Sequence, residues 1–514
     1  MLQRLDFHQS YRLFDTAGTR SIEQMAADRL PPQALMQRAG LALARLALAL
    51  APHARRVWIA CGPGNNGGDG LEAAMHLARW GVPLTVTWLG RADQAPADTR
   101  TAWQRASAAG VRLADKPPAD LSAQDLCIDA LLGIGAARPP TGDMADWLRI
   151  MRTGAAPLLM VDLPSGLNAD TGVLWNADAA DSIAHTPCHH APRNTLTLLT
   201  VKPGLFTADG RDACGTVWFD DLDVTPDTAP DAAPAALLNS TPRIPARAHA
   251  SHKGSFGDVA VIGGLTDRAR GIAMTGAALL AACAALHGGA GRVYVAPLSG
   301  GSDNAEQTPM LDMDQPELMF RRWDALALET STVVCGCGGG DALHAVLPDV
   351  LRRAARLVLD ADALNAVAAE PTLGALLAQR AACGQTTVLT PHPLEAARLL
   401  STDARAVQAD RLAAARTLAE RWNVVVALKG SGTIIAGPNE TPRLNPTGNA
   451  QLATAGTGDV LAGLIGAYLA AGPRAFASAF SAVCAAVYRH GQIADQWHGP
   501  EPLTAGALAR QVKP

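Results

Sequence analysis

The sequence predicts an α/β protein of two domains, each built on a mostly parallel sheet covered by helices. Strands followed by glycine loops and small-residue helices recur along both halves of the chain, which is the doubly wound pattern. The composition is 48% hydrophobic and only 4% aromatic, and its many Ala, Gly and Leu residues suit closely packed layers. At roughly 150 residues per domain, a chain of 514 residues allows two to four domains.

Composition and charge exclude several functional classes. A formal net charge of −4 gives no bulk attraction to nucleic acid or to an anionic membrane. The stretch 1–15 is too polar for a signal peptide, and the apolar run 41–51 is too short to span a bilayer. The nine cysteines are scattered, and the close pair Cys335 and Cys337 has no second pair at zinc-binding spacing. We therefore expect a soluble, cytoplasmic protein that has no disulfide framework, zinc site, nucleic-acid partner or membrane partner.

The first half opens with two helices on either side of Pro31-Pro32, and then alternates strands and helices. A strand at 57–61 runs into the glycine loop 62–70, which is followed by a helix at 71–80 and a strand at 84–88. The loop is not a G-x-G-x-x-G fingerprint, because it carries Asn65, Asn66 and Asp69. Such side chains can hydrogen-bond ribose or amide groups or coordinate a hard cation.

Two further strands of the first half also end in polar residues. One ends at Asp129 before a second glycine loop, Gly133-Ile134-Gly135, and the other ends at Asp162 shortly before Ser165. The carboxyl ends of parallel strands lie on one edge of a sheet, so these side chains would converge with the first loop on one pocket. The alternative is that each Asp caps a following helix or turn.

The motifs GPGNNGGDG, DALLGIG, VDLPSGLNADTG and VKPGLFTADGRDACG together resemble the YjeF N-terminal domain, the epimerase of hydrated NAD(P)H, over about residues 10–222. The resemblance implies a potassium ion held by Asn66, Asp129 and Ser165. It also implies that the hydrated nucleotide is bound by a larger set, namely Asn65, Asn66, Gly67, Gly68, Asp69, Gly133, Ile134, Gly135, Ala136, Ala137, Arg138, Pro139 and Asp162. Oxygen ligands of this kind suit a hard cation.

Two features depart from the family pattern. Ile134 stands where the family usually has Thr, which removes a hydroxyl from the nucleotide loop. The segment 179–194 also differs from the family, and we expect its His185, His189 and His190 to lie in a surface loop because no metal-binding spacing relates them. Residues 220–250 are rich in Pro, Ala, Asp and Thr, as solvated linkers are. We therefore place the first domain at 1–225, a linker at 226–246 and the second domain at 247–514.

The second half repeats the alternation of strands and helices. Strands are predicted at 259–264, 293–296, 332–335, 357–360, 387–390, 424–429 and 434–436, with a small-residue helix at 276–291. Polar groups again follow the strands, and they are Asp360, Asp362, Asn365, His392, Glu395 and Lys429. The pattern indicates a second α/β domain with a mostly parallel sheet and polar strand ends.

Two glycine-containing motifs of this half suit a phosphate. Lys429-Gly-Ser-Gly-Thr433 combines a point charge, backbone amides and a hydroxyl, although it lacks the Walker pattern. Gly456-Thr-Gly-Asp459 leads into a buried helix, whose first amides and dipole would form an anion hole. Asp459 would orient or deprotonate a hydroxyl there. The structural alternatives are an ordinary β-turn and a tightly packed helix start.

The set HKGSFGDVAVIGG, VLDADALN, LTPHPLEAARLL, LKGSGT and NAQLATAGTGDVLAG resembles a branch of the ribokinase-like superfamily, the ADP/ATP-dependent NAD(P)H-hydrate dehydratases, over about residues 247–512. The resemblance implies a magnesium ion and ADP bound by Lys429, Gly430, Ser431, Gly432, Thr433 and Gly458. It places Ala277, Gly340, His392 and Asp459 at the hydrated nicotinamide. Cys337 and Leu394 depart from the family, which usually has Pro and Gly at these positions.

Both resemblances point to the same damaged metabolite. They imply that the first domain interconverts the R and S epimers of hydrated NADH and NADPH. The second domain would dehydrate the S epimer with ADP, releasing AMP and phosphate, and related proteins form homo-oligomers. The alternative function is a ribokinase-like kinase of a small vitamin precursor, with a first domain that binds without catalysis.

Overall fold

The computed structural model describes residues 2–136, 138–175, 191–225, 232–300 and 312–513. The chain separates into two compact units. The first comprises Met1–Asp6 with Tyr11–Leu237, and the second comprises Phe7–Ser10 with Leu238–Pro514. Each unit is an α/β structure with its own sheet.

The first unit alternates strands and helices along most of its length. Its helices are α1 (Thr16–Arg29), α2 (Ala34–Leu50), α3 (Asn65–Arg79), α4 (Ala97–Ala108), α5 (Asp143–Thr153) and α6 (Gly210–Ala213). Its strands are β1 (Gln3–Arg4), β2 (Arg12–Leu13), β3 (Val57–Cys61), β4 (Leu84–Trp88), β5 (Leu126–Ala130), β6 (Leu158–Val161), β7 (Arg193–Leu198) and β8 (Thr216–Asp220).

The first sheet is parallel except at one edge. Among the described residues it has seven strands in the order β1-β8-β7-β6-β5-β3-β4, and only β1 pairs antiparallel with its neighbour. Ile59 and Ile128 face a core that includes residues of α2 and α3, whereas Trp58 and Cys127 face α5. This alternation arises because successive strand residues point to opposite faces, so helices cover both faces of the sheet.

The predicted elements of the first unit are largely confirmed, with one informative difference at the first glycine loop. The two leading helices and the strands at 57–61 and 84–88 form as predicted. Helix α3, however, begins at Asn65 rather than at Leu71, so most of the loop is helical. A Cβ at Gly67 would lie 2.0 Å from the carbonyl oxygen of Gly62, so glycine is needed for packing there.

The residues expected to form a solvated linker are partly built into the fold. Within 226–246 the short strand β9 (Ala236–Leu238) pairs with β2, and Ala236 and Leu238 are fully buried. The buried side chain of Asn239 then donates to the Oδ1 of Asn445 and to the carbonyl oxygen of Cys484. A Pro- and Ala-rich composition therefore does not keep residues 236–239 in solvent, whereas Pro245 and Ala246 are exposed.

The second unit has the longer series of elements. Its helices are α7 (Thr275–His287), α8 (Leu343–Arg353), α9 (Ala361–Ala369), α10 (Pro371–Ala382), α11 (Pro393–Leu400), α12 (Ala404–Ala409), α13 (Arg411–Trp422), α14 (Thr457–Ala471), α15 (Ala479–Asp495) and α16 (Ala505–Gln511). Its strands are β10 (Asp258–Asp267), β11 (Ile272–Ala273), β12 (Arg292–Ser299), β13 (Met319–Phe320), β14 (Thr332–Cys335), β15 (Arg356–Leu359), β16 (Thr386–Leu389), β17 (Val425–Leu428), β18 (Ile434–Ala436) and β19 (Arg443–Leu444).

The second sheet is mostly parallel, as the sequence predicts. In the described part of this unit the strand order runs β13-β12-β10-β14-β15-β16-β17-β18-β19, and β11 pairs with β10. The strands from β13 to β17 pair in parallel, and β18 and β19 follow as antiparallel strands. Helices α7, α14, α15 and α16 contribute to one large core with the sheet, and α14 is buried along nearly its whole length.

Within the described residues, no helix is both long enough and apolar enough to cross a membrane.

Candidate active sites

The first unit contains a cavity of about 530 Å³ at the carboxyl ends of its strands. This is where ligands bind in open parallel sheets. Eight of the residues that the resemblance assigned to the nucleotide line it, namely Asn65, Asn66, Asp69, Gly133, Ile134, Gly135, Ala136 and Asp162. Asn66, Asp69 and Asp162 thus share one pocket with the two glycine loops, whereas Asp129 and Ser165 are not among its lining residues.

The other residues assigned to this pocket have different positions. Gly67 and Gly68 are buried, and a Cβ at Gly68 would lie 2.5 Å from the Cε of Met36, so both glycines serve close packing at the start of α3. Arg138 and Pro139 are exposed and are not among the lining residues. Ala137 lies outside the described residues, as do His185, His189 and His190.

A buried ion pair forms one wall of the cavity. Asp162 has the left-handed φ of 66°, and its carboxylate accepts from the Nζ of Lys202. Lys202 is 1% exposed, and its Nζ also donates to the carbonyl oxygen of Leu198 at 2.7 Å. Lys202 was not singled out from the sequence, although it lies in the VKPG motif. A lysine directly after an apolar strand was the available signal.

Two further carboxyl groups line the same cavity. Burial raises the pKa of Asp69 well above its usual range, and the nearby charges of Asp162 and Glu23 raise it further. Desolvation also raises the pKa of Glu23, which comes from α1. The cavity therefore combines a carboxyl group that favours its neutral form with a carboxylate that is paired to a lysine. Neighbouring acids in such different environments are typical of acid–base sites.

Two of the three residues implied for potassium, Asp129 and Ser165, contact each other, and the third, Asn66, lines this cavity. Asp129 and Ser165 are both fully buried. The Oγ of Ser165 donates to Oδ1 of Asp129 at 2.6 Å, and the amide of Ser165 donates to Oδ2 at 3.1 Å. The Nδ2 of Asn66 is buried and has no hydrogen-bond partner. An oxygen-rich cluster beside an unsatisfied amide fits a hard cation, since amide O and N are interchangeable by a flip.

The second unit gathers its polar strand ends in the same way, because β14, β15, β16 and β17 are neighbours in the parallel sheet. Asp360 follows β15 and accepts from the Nζ of Lys429 at 2.6 Å and from the Oγ1 of Thr390 at 2.8 Å. Glu395 lies 3.9 Å from the same Nζ. Burial lowers the pKa of Lys429, but the two carboxylates outweigh this effect and raise it.

The segment Gly456–Asp459, where α14 begins, faces this cluster. Gly456 adopts a φ of 91°, and no side chain caps the first turn of α14. The Oγ1 of Thr457 instead donates to the carbonyl oxygens of Leu452 and Thr454, which ties the preceding turn to the helix. A Cβ at Gly458 would lie 3.4 Å from the Nζ of Lys429. The uncapped amides and the lysine therefore face the same small space, as an anion hole requires.

Asp459 sits in this space beside Cys337 and Asp360. One ligand atom of each of these three residues lies within 4.8 Å of the other two. Burial raises the pKa of Asp459 to about 7, the charge of Asp360 raises it, and contact with the Cys337 thiol and the charge of Lys429 lower it. A carboxyl group that titrates near neutral pH is suited to act as a general base.

The Lys429–Thr433 loop lies over a buried arginine that sequence reasoning missed. Arg411 of α13 is 1% exposed, and its Nη2 donates to the carbonyl oxygens of Lys429 at 3.4 Å and of Gly432 at 3.3 Å. In a trans peptide the carbonyl and the following amide point in opposite directions. The amides of Gly430 and Thr433 therefore point away from Arg411, which leaves them available to an anion.

The remaining residues assigned to the dehydratase substrate surround this centre. Gly340 has a φ of 55°, and its amide donates to the Oδ2 of Asp362 at 2.9 Å. Ala277 packs on the same loop, since a Cβ at Gly338 would lie 2.9 Å from the Cβ of Ala277. His392 caps α11, because its Nδ1 accepts from the amides of Leu394 and Glu395. Desolvation and the charge of Lys429 lower the pKa of His392.

Comparison with known proteins finds a family match in each half of the chain. The family model described as YjeF-related protein N-terminus matches residues 32–204, and the model described as NAD(P)H-hydrate dehydratase matches residues 259–511. A solved structure of the ADP/ATP-dependent NAD(P)H-hydrate dehydratase from Bacillus subtilis, co-crystallised with ATP and Mg²⁺, is 30% identical. It covers 52% of this chain and 91% of its own, with a TM-score of 0.41.

Whole-length relatives join the two matches in one protein. The bifunctional NAD(P)H-hydrate repair enzyme Nnr of Coxiella burnetii is 32% identical and covers 98% of both chains. The Escherichia coli protein of the same name is 34% identical and covers 90% of this chain and 84% of its own. The Leishmania major bifunctional NAD(P)H-hydrate repair enzyme is 34% identical, with 94% and 89% covered. The chain therefore belongs to the family of bifunctional NAD(P)H-hydrate repair enzymes.

Proposed function

We propose that the second unit dehydrates the S epimer of hydrated NADH or NADPH at the expense of ADP. The observation that carries the proposal is Asp459, with a pKa of about 7, at an uncapped helix start that also faces Lys429. A base next to an anion hole suits transfer of a phosphoryl group to a hydroxyl. The family relatives are named as repair enzymes, so the vitamin-precursor kinase is not favoured.

The phosphates of ADP would lie between the Lys429–Thr433 loop and the first turn of α14. The outward amides of Gly430 and Thr433, the amide of Gly458 and the ammonium group of Lys429 supply the positive charge. A magnesium ion would be held by Asp360, whose Oδ2 lies 4.0 Å from the position of a Cβ at Gly458. Magnesium usually takes one or two carboxylates together with phosphate oxygens, and it would neutralise phosphate charge there.

The reaction follows from these positions. Asp459 accepts the proton of the C6 hydroxyl while that oxygen attacks the terminal phosphorus of ADP, and AMP leaves. The ring nitrogen lone pair then expels phosphate by breaking the C6–O bond, which forms an iminium ion. Loss of a proton from C5 restores the C5–C6 double bond of the dihydronicotinamide. The sum is hydrate plus ADP giving reduced nicotinamide, AMP, phosphate and a proton.

For the first unit we propose exchange of the R and S configurations at C6 in the 530 Å³ cavity. The neutral carboxyl group of Asp69 would protonate the leaving hydroxyl, and Asp162, held by Lys202, would accept a proton when water adds to the other face. The cluster of Asn66, Asp129 and Ser165 would hold potassium, and its charge would favour the phosphate groups of the substrate.

The decisive experiment incubates the protein with mixed R and S hydrates and either ADP or ATP. Complete recovery of the 340-nm absorbance of reduced nicotinamide supports both activities, with one phosphate per hydrate and one AMP formed from ADP or one ADP formed from ATP. A stop at the S fraction would show that the first unit does not epimerise the hydrate. A stable phosphorylated product would contradict the dehydratase and support the kinase alternative. Running NADH and NADPH hydrates separately defines the preferred substrate.

We also propose that the protein is a cytoplasmic homo-oligomer, as the sequence resemblance implies. Sedimentation equilibrium at micromolar concentration tests the assembly, and a single species of 53.2 kDa would contradict it. Cell fractionation tests the location.

A further inference from the structure

The potassium cluster of Asn66, Asp129 and Ser165 has a positively charged neighbour that no prediction included. Arg152 lies in the last turn of α5, the helix that covers one face of the first sheet. Its Nη2 donates to the carbonyl oxygen of Ser165 at 2.5 Å. The amide and the hydroxyl of that same Ser165 donate to Asp129, so the guanidinium group is one residue away from the cluster's only formal charge.

Ser165 joins the two charged groups. Its carbonyl oxygen accepts from Arg152, while its amide and its hydroxyl donate to Asp129. A carboxylate and a guanidinium group held by the same residue offset each other's charge, so the cluster has less need of a second cation.

We propose that Arg152 is a built-in cation that weakens potassium binding at the Asn66, Asp129 and Ser165 cluster. The inference rests on the potassium site of the proposed function. Asp129 carries a single negative charge, so the guanidinium group and a potassium ion compete for the attraction of the same carboxylate. The carbonyl oxygen of Ser165, which would otherwise be a ready oxygen ligand, is already used by Arg152. Removing the positive charge should therefore tighten potassium binding.

The size of the effect is of the order of a Coulomb repulsion between two unit charges. At a nominal separation of about 6 Å and an effective dielectric constant of about 20 to 80, such a repulsion changes a binding constant by about threefold to a hundredfold. We therefore expect the Arg152→Met variant to bind potassium about tenfold more tightly than the wild type. Arg152→Lys keeps the charge and should bind potassium as the wild type does.

The test is a potassium titration of the full chain followed by thermal unfolding. Potassium chloride replaces choline chloride at constant ionic strength. The thermal midpoint of unfolding of each variant is compared with the midpoint of the same variant in choline chloride. A loss of stability that does not depend on potassium therefore cancels. Arg149→Met is the matched control. Arg149 lies on the same helix, is exposed and pairs with Asp146 instead, so its removal changes the net charge equally.

The outcomes separate the two proposals. A half-saturating potassium concentration that falls about tenfold in Arg152→Met, and not in Arg149→Met or Arg152→Lys, supports the inference. An unchanged or higher concentration in Arg152→Met overturns the inference while the potassium site stands. If no variant responds to potassium beyond choline, the potassium site is wrong and the inference falls with it. Asp129→Asn should abolish any response that is seen.

Discussion

Each unit places a buried aspartate at the end of a parallel strand, and the cation nearest to it comes from a different source in each unit. Asp129 is linked through Ser165 to Arg152, which comes from a helix on the flank of the sheet. Asp360 is balanced by Lys429, which comes from the end of a strand two positions away in the sheet. A cation at a strand end lies at the edge of the sheet where ligands bind. A cation on a covering helix lies away from that edge.

The difference shows what each cation can do. Lys429 faces the uncapped start of α14 and can exchange its partner Asp360 for a phosphate. Arg152 is held against the carbonyl oxygen of Ser165 and can only adjust the charge of the cluster behind the cavity. An aspartate with a nearby basic side chain therefore provides a phosphate site in the second unit. In the first unit it provides a cation site whose charge Arg152 adjusts.

The largest expected effect comes from Asp459→Asn, which removes the proposed base of the second unit. Dehydration of the S hydrate should slow by a factor of about 10² to 10⁴, the usual contribution of general base catalysis. R/S exchange should keep its wild-type rate. Initial rates at 340 nm and chromatographic separation of the epimers measure the two activities. Nearly full dehydratase activity would remove Asp459 from the mechanism.

Asp162→Asn is the corresponding change in the first unit. It removes the carboxylate that Lys202 holds, and we expect R/S exchange to slow by about 10²-fold while dehydration of pure S hydrate is unchanged. Lys202→Met should cause a similar loss, because it leaves Asp162 without its buried partner. Exchange is followed by chromatography without ADP. A loss of dehydratase activity alone would contradict the assignment of functions to the units.

Lys429→Met tests whether this cation serves phosphate. We expect kcat/KM for ADP to fall by about ten- to a hundredfold, since a charge-assisted hydrogen bond to phosphate is lost. Lys253→Met removes an exposed lysine that is not assigned to the site, so it is the matched control for the loss of a positive charge. A loss of structure in Lys429→Met by circular dichroism, with no specific loss in kcat/KM for ADP, would make the role of Lys429 purely structural.

The pH dependence of the dehydratase reports on Asp459. Its ionised form is the base, and its pKa is about 7, so the rate should rise about tenfold per pH unit below pH 7 and level off above it. Contact with the Cys337 thiol lowers this pKa, so Cys337→Ala should move the rise to higher pH, by less than one unit. Cys335→Ala is the control, because Cys335 lies in β14 outside this cluster. A shift to lower pH in Cys337→Ala would contradict the contact.

The smallest effect concerns stability. The pKa of Asp459 is higher in the folded protein than in the unfolded chain, so its ionisation opposes folding, and the free energy of unfolding falls as pH rises from about 4 to 7. Asp459→Asn avoids this cost. The variant should match the wild type near pH 4 and exceed it at pH 8, by at most about 4 kcal/mol. Urea unfolding at both pH values measures the difference, and a less stable variant at pH 8 would contradict the burial argument.

Local patterns in the sequence determined much of this protein. Apolar runs ending in Asp or Lys predicted the parallel strands, and their common edge predicted that Asn66, Asp129 and Ser165, and also Asp360 and Lys429, would gather. This works because strand direction and side-chain alternation follow from local sequence. The glycine motif at Gly456–Asp459 likewise predicted an uncapped helix start, since its backbone geometry is set within a few residues.

Only the tertiary structure decided which distant groups complete each cluster. Arg152 and Arg411 lie on covering helices, separated by many residues from their partners, so no local pattern relates them to the sites. Lys202 follows an apolar strand, but its partner Asp162 is 40 residues away in the sequence. The structure also showed that Gly67 and Gly68 serve packing in the first turn of α3 rather than an open loop. Burial and neighbouring charge, which set the pKa of Asp459, are properties of three-dimensional surroundings that a linear sequence does not specify.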